Sequence, residues 1–467
     1  MHGNVIAAIS TPPGKGGVAV IRMSGKGSLE IAEKIFLPIS GRSITEYRPR
    51  TQIYGYILYN EERIDDGMLT LFPAPNSYTG EDTVEISCHG GILITRTVLE
   101  SLFAAGASPA EPGEFTQRAF INGKLSLTEA EAIGTLLEAT SREQIRLSAS
   151  PARARLNEAI GEIRSGLISL MSSIYARIDY PDEDLGEFTD TQTRDSLLEI
   201  QKKLSRLIDT YKTGRAINEG SSTVICGKPN VGKSTLYNLL IGEDAAIVTD
   251  IAGTTRDILE RTVSLGRVTL KITDTAGVRS GSELDQVEKI GIGKSKEKIT
   301  SAELILAVFD LSRSFDESDK ELVEELSKAE GYKVCILNKS DLADKENPPF
   351  ELTALPNGVF GKVISISADK DGMGATEALC ELVEMLFTDE KISCGQDAIV
   401  SSARQHASLL RARAFIDTAI EAYSLGLPAD AASSDIEMAI GAISELDGRA
   451  VSDSVVSDIF AKFCVGK

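Results

Sequence analysis

What the chain has little of narrows its class first. No apolar run in the 467 residues is long enough to span a bilayer. The start, Met1-His2-Gly3-Asn4-Val5-Ile6, lacks a basic segment followed by an apolar core, so no secretory signal is expected and a cytoplasmic home follows. The six cysteines (Cys88, Cys226, Cys335, Cys380, Cys394 and Cys464) include no CxxC pair, which argues against a zinc site or a disulfide framework. Reduced thiols fit the cytoplasm. Cys226 and Cys335 fall inside apolar, strand-like runs and read as small core residues. Basic residues are outnumbered, 49 Lys and Arg against 69 Asp and Glu, and the net charge of −20 argues against indiscriminate coating of nucleic acid while leaving room for a local basic patch. Of the three histidines, His89 has no visible partner, and a lone histidine is more often structural than catalytic.

What remains is ordinary for a globular protein, with 42% hydrophobic and 25% charged residues, and the length suggests about three domains. Residues 1 to about 120 read as a mixed α/β domain. Val18–Met23, Gln52–Leu58 and Met68–Phe72 are short and β-rich, with turn residues such as Asp65-Asp66-Gly67 between them. The polar segment Thr83 to Gly91 is followed by a helix from about Ile92 to Ala105. From Leu125 the pattern turns helical, with pieces over Glu158 to Ile178 and Ser196 to Tyr211, interrupted at Pro151 and at the acidic Tyr180-Pro181-Asp182-Glu183-Asp184. Amphipathic pieces of this kind pack as a bundle. Arg142, Arg146, Arg153, Arg155 and Arg164 make it locally basic; a solvated helix face is favoured over an RNA contact. Residues 219–388 alternate strands and helices, as in a doubly wound parallel sheet, and 389–467 are helical again. The economical arrangement is one helical domain built from 121–218 and 389–467, with 219–388 inserted.

The inserted part carries the chemistry. Gly227-Lys228-Pro229-Asn230-Val231-Gly232-Lys233-Ser234-Thr235 lies between the strand-like Thr223–Cys226 and a helical run, the context a phosphate loop requires. Backbone N–H groups from Asn230 to Thr235 would face phosphates, Lys233 would reach the terminal ones, and Ser234 would hold Mg²⁺. After the strand Val268–Thr273 comes Asp274-Thr275-Ala276-Gly277, in which the carboxylate can orient the water shell of Mg²⁺ and the glycine N–H can sense the terminal phosphate. The apolar run Tyr332–Leu337 then delivers Asn338-Lys339-Ser340-Asp341, with Ser367-Ala368 following. A carboxylate placed like Asp341 accepts two hydrogen bonds from guanine and none from adenine, so the ligand should be GTP.

These motifs occur in the order of the Ras-like GTPase family, which this region resembles. By that resemblance Thr255 is the switch threonine on Mg²⁺. Val278 stands where Ras-type enzymes carry a water-orienting glutamine, so hydrolysis must be organised differently. Over its full length the chain resembles the MnmE (TrmE) family of tRNA uridine modification GTPases within the TrmE-Era-EngA-like group. The resemblance rests on Thr11-Pro12-Pro13-Gly14-Lys15-Gly16-Gly17, Thr79-Gly80-Glu81-Asp82, the stretch from Pro112 to Leu125, and the end Phe463-Cys464-Val465-Gly466-Lys467. Val465 and Cys88 depart from the family's usual residues.

The resemblance implies a multidomain α/β plus all-α protein. Residues 1–120 would form a domain that dimerises and binds formyl-tetrahydrofolate through Arg22, Glu85, Lys124 and Lys467. A split helical bundle (121–218 and 389–467) would carry an inserted G domain (219–388). It also implies K⁺ held by Asn230, Thr249, Ile251 and Thr254, with Glu288 orienting the attacking water and Cys464 linked to the modification. The implied activity is potassium-activated GTP hydrolysis coupled, with the flavoprotein MnmG in a heterotetramer, to modification of the wobble uridine of certain tRNAs at its five-position with a carboxymethylaminomethyl or aminomethyl group. FAD and NADH would come through the partner, and no membrane is involved. A ribosome-assembly switch resembling Era or Der shares the G-domain motifs, but those proteins end in an RNA-binding KH-like domain or carry tandem G domains. A plain signalling GTPase would leave residues 1–217 without a role.

Overall fold

Two sheets organise the computed structural model, which describes residues 3–179, 189–242, 260–273, 298–343, 355–356 and 358–466. By contacts the chain divides into two compact units, residues 1–137 with 441–467, and residues 138–440.

In the first unit, strands β1 (Ile6–Ile9), β2 (Gly16–Ser24), β3 (Phe36–Pro38), β4 (Gln52–Tyr59), β5 (Glu62–Phe72), β6 (Thr83–Gly90) and β7 (Ser108–Pro109) form a sheet of order β3-β4-β5-β6-β2-β1-β7. Neighbours are antiparallel except β1 and β7. Strand alternation sends Ile21, Met23, Ile53, Ile57, Leu69, Val84 and Ile86 to one face, where they pack with Ile31, Val98 and Leu102 of helices Ser28–Ile35 and Ile92–Ala105. The segment read as polar, Thr83 to Gly91, is strand β6 as far as Gly90, because Val84, Ile86 and Cys88 alternate inward. Asp65-Asp66-Gly67, read as a turn, lies inside β5. The chain instead reverses at Asn60 (φ 50) and Glu61 (φ 67), the pair of positive φ angles that suits a two-residue hairpin.

Helix Asp453–Phe460 completes this unit. Phe460, 2% exposed, packs with Leu127, Ala130 and Val456, and its ring lies 6.2 Å from Phe120 and 5.6 Å from Phe463. Beyond it Val465 pairs with Pro112, and Ser10 Oγ donates to the Gly466 carbonyl at 3.1 Å.

The second unit opens with helices Arg142–Ser148, Ser150–Asp179 and Asp190–Asn218. Pro151 is the second residue of its helix, where a missing N–H breaks no intrahelical bond. Thr189 and Gln192 form a reciprocal capping box, and Leu197, Ile200, Leu204 and Leu207 make the buried seam of Asp190–Asn218. Helix Ala403–Ser424 packs alongside. The second sheet comprises β8 (Ser221–Cys226), β9 (Glu260–Leu265), β10 (Val268–Thr273), β11 (Leu304–Asp310), β12 (Tyr332–Asn338) and β13 (Lys362–Ser365), in the order β13-β12-β11-β8-β10-β9. It is parallel apart from the β9–β10 hairpin. Strand β11 is buried throughout: Leu304, Leu306 and Val308 face helices Lys233–Ile241 and Gly372–Phe387, while Ile305, Ala307 and Phe309 face helix Glu317–Ser327. An unbroken apolar run is what a parallel strand covered on both faces needs. Cys226 and Cys335 sit in the second of these cores, where burial pushes both thiols up to about 12. Among the described residues no helix is long and apolar enough to cross a membrane.

Candidate nucleotide site

Strand β8 ends at Cys226 and feeds the turn Gly227 to Gly232, after which helix Lys233–Ile241 begins. Backbone geometry selects the glycines. Gly227 has φ 147, and a Cβ there would lie 2.4 Å from the Val308 carbonyl oxygen; Gly232 has φ 101, and its Cβ would lie 2.1 Å from Asn338 Nδ2. Neither position tolerates a side chain without displacement. The first N–H groups of the helix have no intrahelical acceptor and carry the positive end of its dipole, so this end suits an anion. Lys233 Nζ lies over the turn, donating to the Lys228 carbonyl at 2.5 Å, and burial lowers its pKa.

Asn338, only 4% exposed at the end of β12, ties three motifs together. Its Nδ2 donates to the Val231 carbonyl at 2.9 Å, and its Oδ1 accepts from the Ala368 N–H at 3.1 Å. Lys339 follows with φ 63, and its Nζ donates to Asp310 Oδ2 at 2.6 Å. Burial pushes the Asp310 carboxyl up, but hydrogen bonds from Lys339 and Ser312 more than offset this and leave it below its ordinary value. Asp341 Oδ1 accepts from Ser367 Oγ at 2.6 Å and Oδ2 lies 3.5 Å from Lys370 Nζ; these partners hold its carboxyl below the ordinary range.

A cavity of about 500 Å³ opens between these groups, lined by Asn230, Gly232, Lys233, Ser234, Thr235, Asn338, Lys339, Asp341 and Ser367 together with Leu342 and Asp369. The structure thus brings the phosphate-loop residues and the Asn-Lys-x-Asp residues to one cavity, with Val231 and Ala368 buried behind it. Thr249, Ile251, Thr254, Thr255, Asp274, Thr275, Ala276, Gly277 and Glu288 lie outside the described residues, as does Lys467 in the first unit. Sequence reasoning missed Asp310, Leu342 and Asp369. A carboxylate ending the wholly apolar run Leu304–Phe309 was the available signal for Asp310.

In the first unit, Arg22 and Glu85 face each other across β2 and β6, with Nη2 to Oε1 at 2.8 Å. The Arg22 guanidinium lies 5.5 Å from the ring centre of Tyr78 and 5.8 Å from that of Phe115. Lys124 Nζ donates to the Pro75 carbonyl at 3.0 Å, so Arg22 and Lys124 both reach the segment from Pro75 to Tyr78. The Cys464 side chain is exposed, and its carbonyl accepts from the Gly113 N–H at 3.4 Å.

A phosphate loop at the carboxyl end of a central parallel strand, facing an Asn-Lys-x-Asp aspartate at the end of another, defines a guanine-nucleotide-binding GTPase domain. Residues 5–124 match the family model described as "GTP-binding protein TrmE N-terminus", and residues 127–464 match that of the "MnmE helical domain". The "tRNA modification GTPase MnmE" of Clostridioides difficile is 38% identical over 465 residues, covering 99% of each chain. That of Thermotoga petrophila is 39% identical over 466 residues, covering 99% of this chain and 100% of its own. Among solved structures, Era of Aquifex aeolicus is similar over 42% of this chain and 66% of its own, at 20% identity and a TM-score of 0.26. The chain belongs to the MnmE family of tRNA modification GTPases, and it is a GTP hydrolase of tRNA modification.

Proposed function

We propose that this chain is a potassium-activated GTPase that, with the flavoprotein MnmG, installs a carboxymethylaminomethyl or aminomethyl group on the five-position of the wobble uridine of certain tRNAs, using formyl-tetrahydrofolate. The observation that carries the reading is the convergence of the phosphate loop and the Asn-Lys-x-Asp residues on one cavity, in a chain similar from end to end to tRNA modification GTPases.

In this reading the helix start from Gly232 to Thr235 and the Lys233 ammonium bind the phosphates, and Asp341 selects guanine through its N–H edge. Ser367 and Lys370 support that choice by keeping Asp341 ionised, hence an acceptor. Ser234, an exposed hydroxyl beside Lys233, offers the hard oxygen that Mg²⁺ takes, with Thr255 as its second protein ligand and Asp274 orienting the water shell. Asn230, Thr249, Ile251 and Thr254 would hold K⁺. When bound, these cations would supply positive charge beside the phosphates, where negative charge develops during transfer. Glu288 orients the attacking water; Glu288→Ala should reduce hydrolysis far more than GTP affinity, and equal losses in both would reject the role.

For the folate, Arg22 offers a half-buried guanidinium flanked by two aromatic rings, suited to a carboxylate or a flat ring, and Glu85 accepts from an N–H edge. Lys124 and Lys467 would add charge for the glutamate end. Docking of the last residues on Pro112 and Gly113, two residues before Phe115, supports a role for Cys464 near this site. Exposed Val18, Leu37, Tyr54 and Met68 on the first unit support self-association through it into a homodimer. FAD and NADH enter with the partner, and the complex works in the cytoplasm.

The deciding experiment is GTP hydrolysis by the purified protein in potassium and in sodium buffers of equal ionic strength. A large potassium-specific stimulation is expected; equal, slow rates in both would sink the cation mechanism and favour an Era-like switch. Cys464→Ser should abolish tRNA modification with GTP turnover unchanged, and intact modification would make the thiol dispensable.

A further inference from the structure

Two lysines of the nucleotide motifs are anchored by one short stretch of chain that neither motif contains. Lys339 is held by Asp310, the last residue of β11. Lys228, the second residue of the phosphate loop, forms an ion pair with Asp316 and lies 3.3 Å from Asp319 Oδ2. Arg313 closes the group from within the same stretch, donating to both Asp319 carboxylate oxygens at 2.9 and 3.0 Å and lying 3.1 Å from Asp316. Asp319 is 1% exposed, and Lys228 and Arg313 are the cations that meet its buried carboxylate.

Helix capping accounts for only part of this arrangement. Asp316 caps helix Glu317–Ser327, its Oδ1 accepting from the Ser318 and Asp319 N–H groups at 3.0 and 3.2 Å. A cap needs no lysine, and asparagine serves there as well as aspartate. The contact to Lys228 spans 88 residues and reaches out of the helix to the loop that would turn around the phosphates.

We propose that residues 310–319 act as a retention strap: their carboxylates fix the phosphate loop to the base-recognition motif and so set how long the nucleotide stays bound. The proposal rests on the cavity being the GTP site. A bound nucleotide spans both anchored motifs, so its exit requires them to part, and each ion pair opposes that movement. Of the groups assigned to water and cations, Asn230 and Ser234 lie on the strapped loop itself and the others on other segments; once a nucleotide fills the site its phosphates hold that loop, so the strap governs residence and leaves the hydrolytic step alone.

The test measures dissociation of fluorescent mant-GDP from the full-length protein by stopped flow, beside single-turnover GTP hydrolysis. Asp316→Asn, which keeps the cap and removes the charge, should speed release about two- to fivefold, the range of a partly exposed ion pair. Its single-turnover hydrolysis should be unchanged. Lys228→Met leaves the cap alone and so serves even if the Asp316 variant folds poorly; it should speed release to a similar degree. The double variant should release the nucleotide more slowly than the product of the two single effects predicts, because both changes remove the shared Lys228–Asp316 pair while each also loses a pair of its own, to Asp319 and to Arg313. Unchanged release rates, additive effects, or a slowed hydrolytic step with normal release would each overturn the strap. Failure of the parent protein to bind mant-GDP at all would refute the nucleotide site itself.

Discussion

Asn338→Ala is the sharpest probe of how the nucleotide cavity is held in shape. Asn338 makes two bonds to buried main chain, to the Val231 carbonyl at 2.9 Å and from the Ala368 N–H at 3.1 Å, and both of those residues are buried, at 2% and 6% exposure. Truncation leaves one buried acceptor and one buried donor unpaired. At about 1–3 kcal/mol for each orphaned group, and with the adjoining cavity admitting some water, the loss should be about 2–4 kcal/mol. It should appear as a lower urea midpoint with the slope unchanged. Because the two bonds join the phosphate loop to Asn-Lys-x-Asp and to Ser-Ala, mant-GDP affinity should fall at least about tenfold, although the Asn338 side chain is needed only to hold other groups. Asn338→Asp sharpens the test. It keeps the acceptor for Ala368 but turns a carboxylate toward the Val231 carbonyl, so it should be nearly as damaging at neutral pH and should recover as the pH falls and the carboxyl gains a proton to donate. A loss below about 0.5 kcal/mol for Asn338→Ala, with unaltered nucleotide affinity, would refute the argument.

Two further outcomes bear on the first unit. Phe460→Ala empties a fully packed aromatic site beside Leu127, Phe120 and Phe463 and should cost about 3–5 kcal/mol, with residues after 460 cut earlier in limited proteolysis; a loss under about 1 kcal/mol would show that the site collapses. Asp65 accepts from or pairs with His89 Nδ1 at 2.7 Å and raises the imidazole pKa, so the folded state binds that proton more tightly than the unfolded chain. The resulting stabilisation is complete below the unfolded value of about 6.5 and is lost as the pH rises through the raised folded value. Asp65→Asn should bring the His89 titration, followed by NMR, back toward the ordinary value, and an unmoved titration curve would exclude Asp65 as the cause.

Much of this architecture was legible because the chemistry imposes spacing. The phosphate loop between strand and helix admits few residue patterns, and Asn338 to Asp341 had to follow an apolar strand. The helix expected from about Ile92 to Ala105 is observed at those bounds. Strand β6 was masked by Glu85, Ser87 and His89 on the face away from the core, since alternation with polar residues on one face resembles a loop when read by composition. Asp65 and Asp66 suggested a turn by residue type, whereas hairpin geometry put the reversal at Asn60 and Glu61. The pairing of Lys228 with Asp316 had no local signature at all. Long-range ion pairs follow from the fold, and a charge pattern along the chain does not indicate which cation meets which carboxylate. For the same reason Ala- and Leu-rich composition showed that the last segment is helical but not that residues 441–467 belong with the amino-terminal unit, where Val456 and Phe460 pack on Leu127 and Ala130.

The return of residues 441–467 to the first unit has a consequence in time. Roughly 300 residues are translated between Leu137 and Gly441, which at about 5–20 residues per second takes on the order of 15 to 60 s. Over that interval Leu127, Phe120 and Ala130 await Phe460 with their apolar surfaces uncovered, while residues 138–440 have time to fold as a unit of their own. Residues 120–130 therefore leave the ribosome well before the helix that covers them, and the Cys464 segment reaches its place only after residues 138–440 have been made.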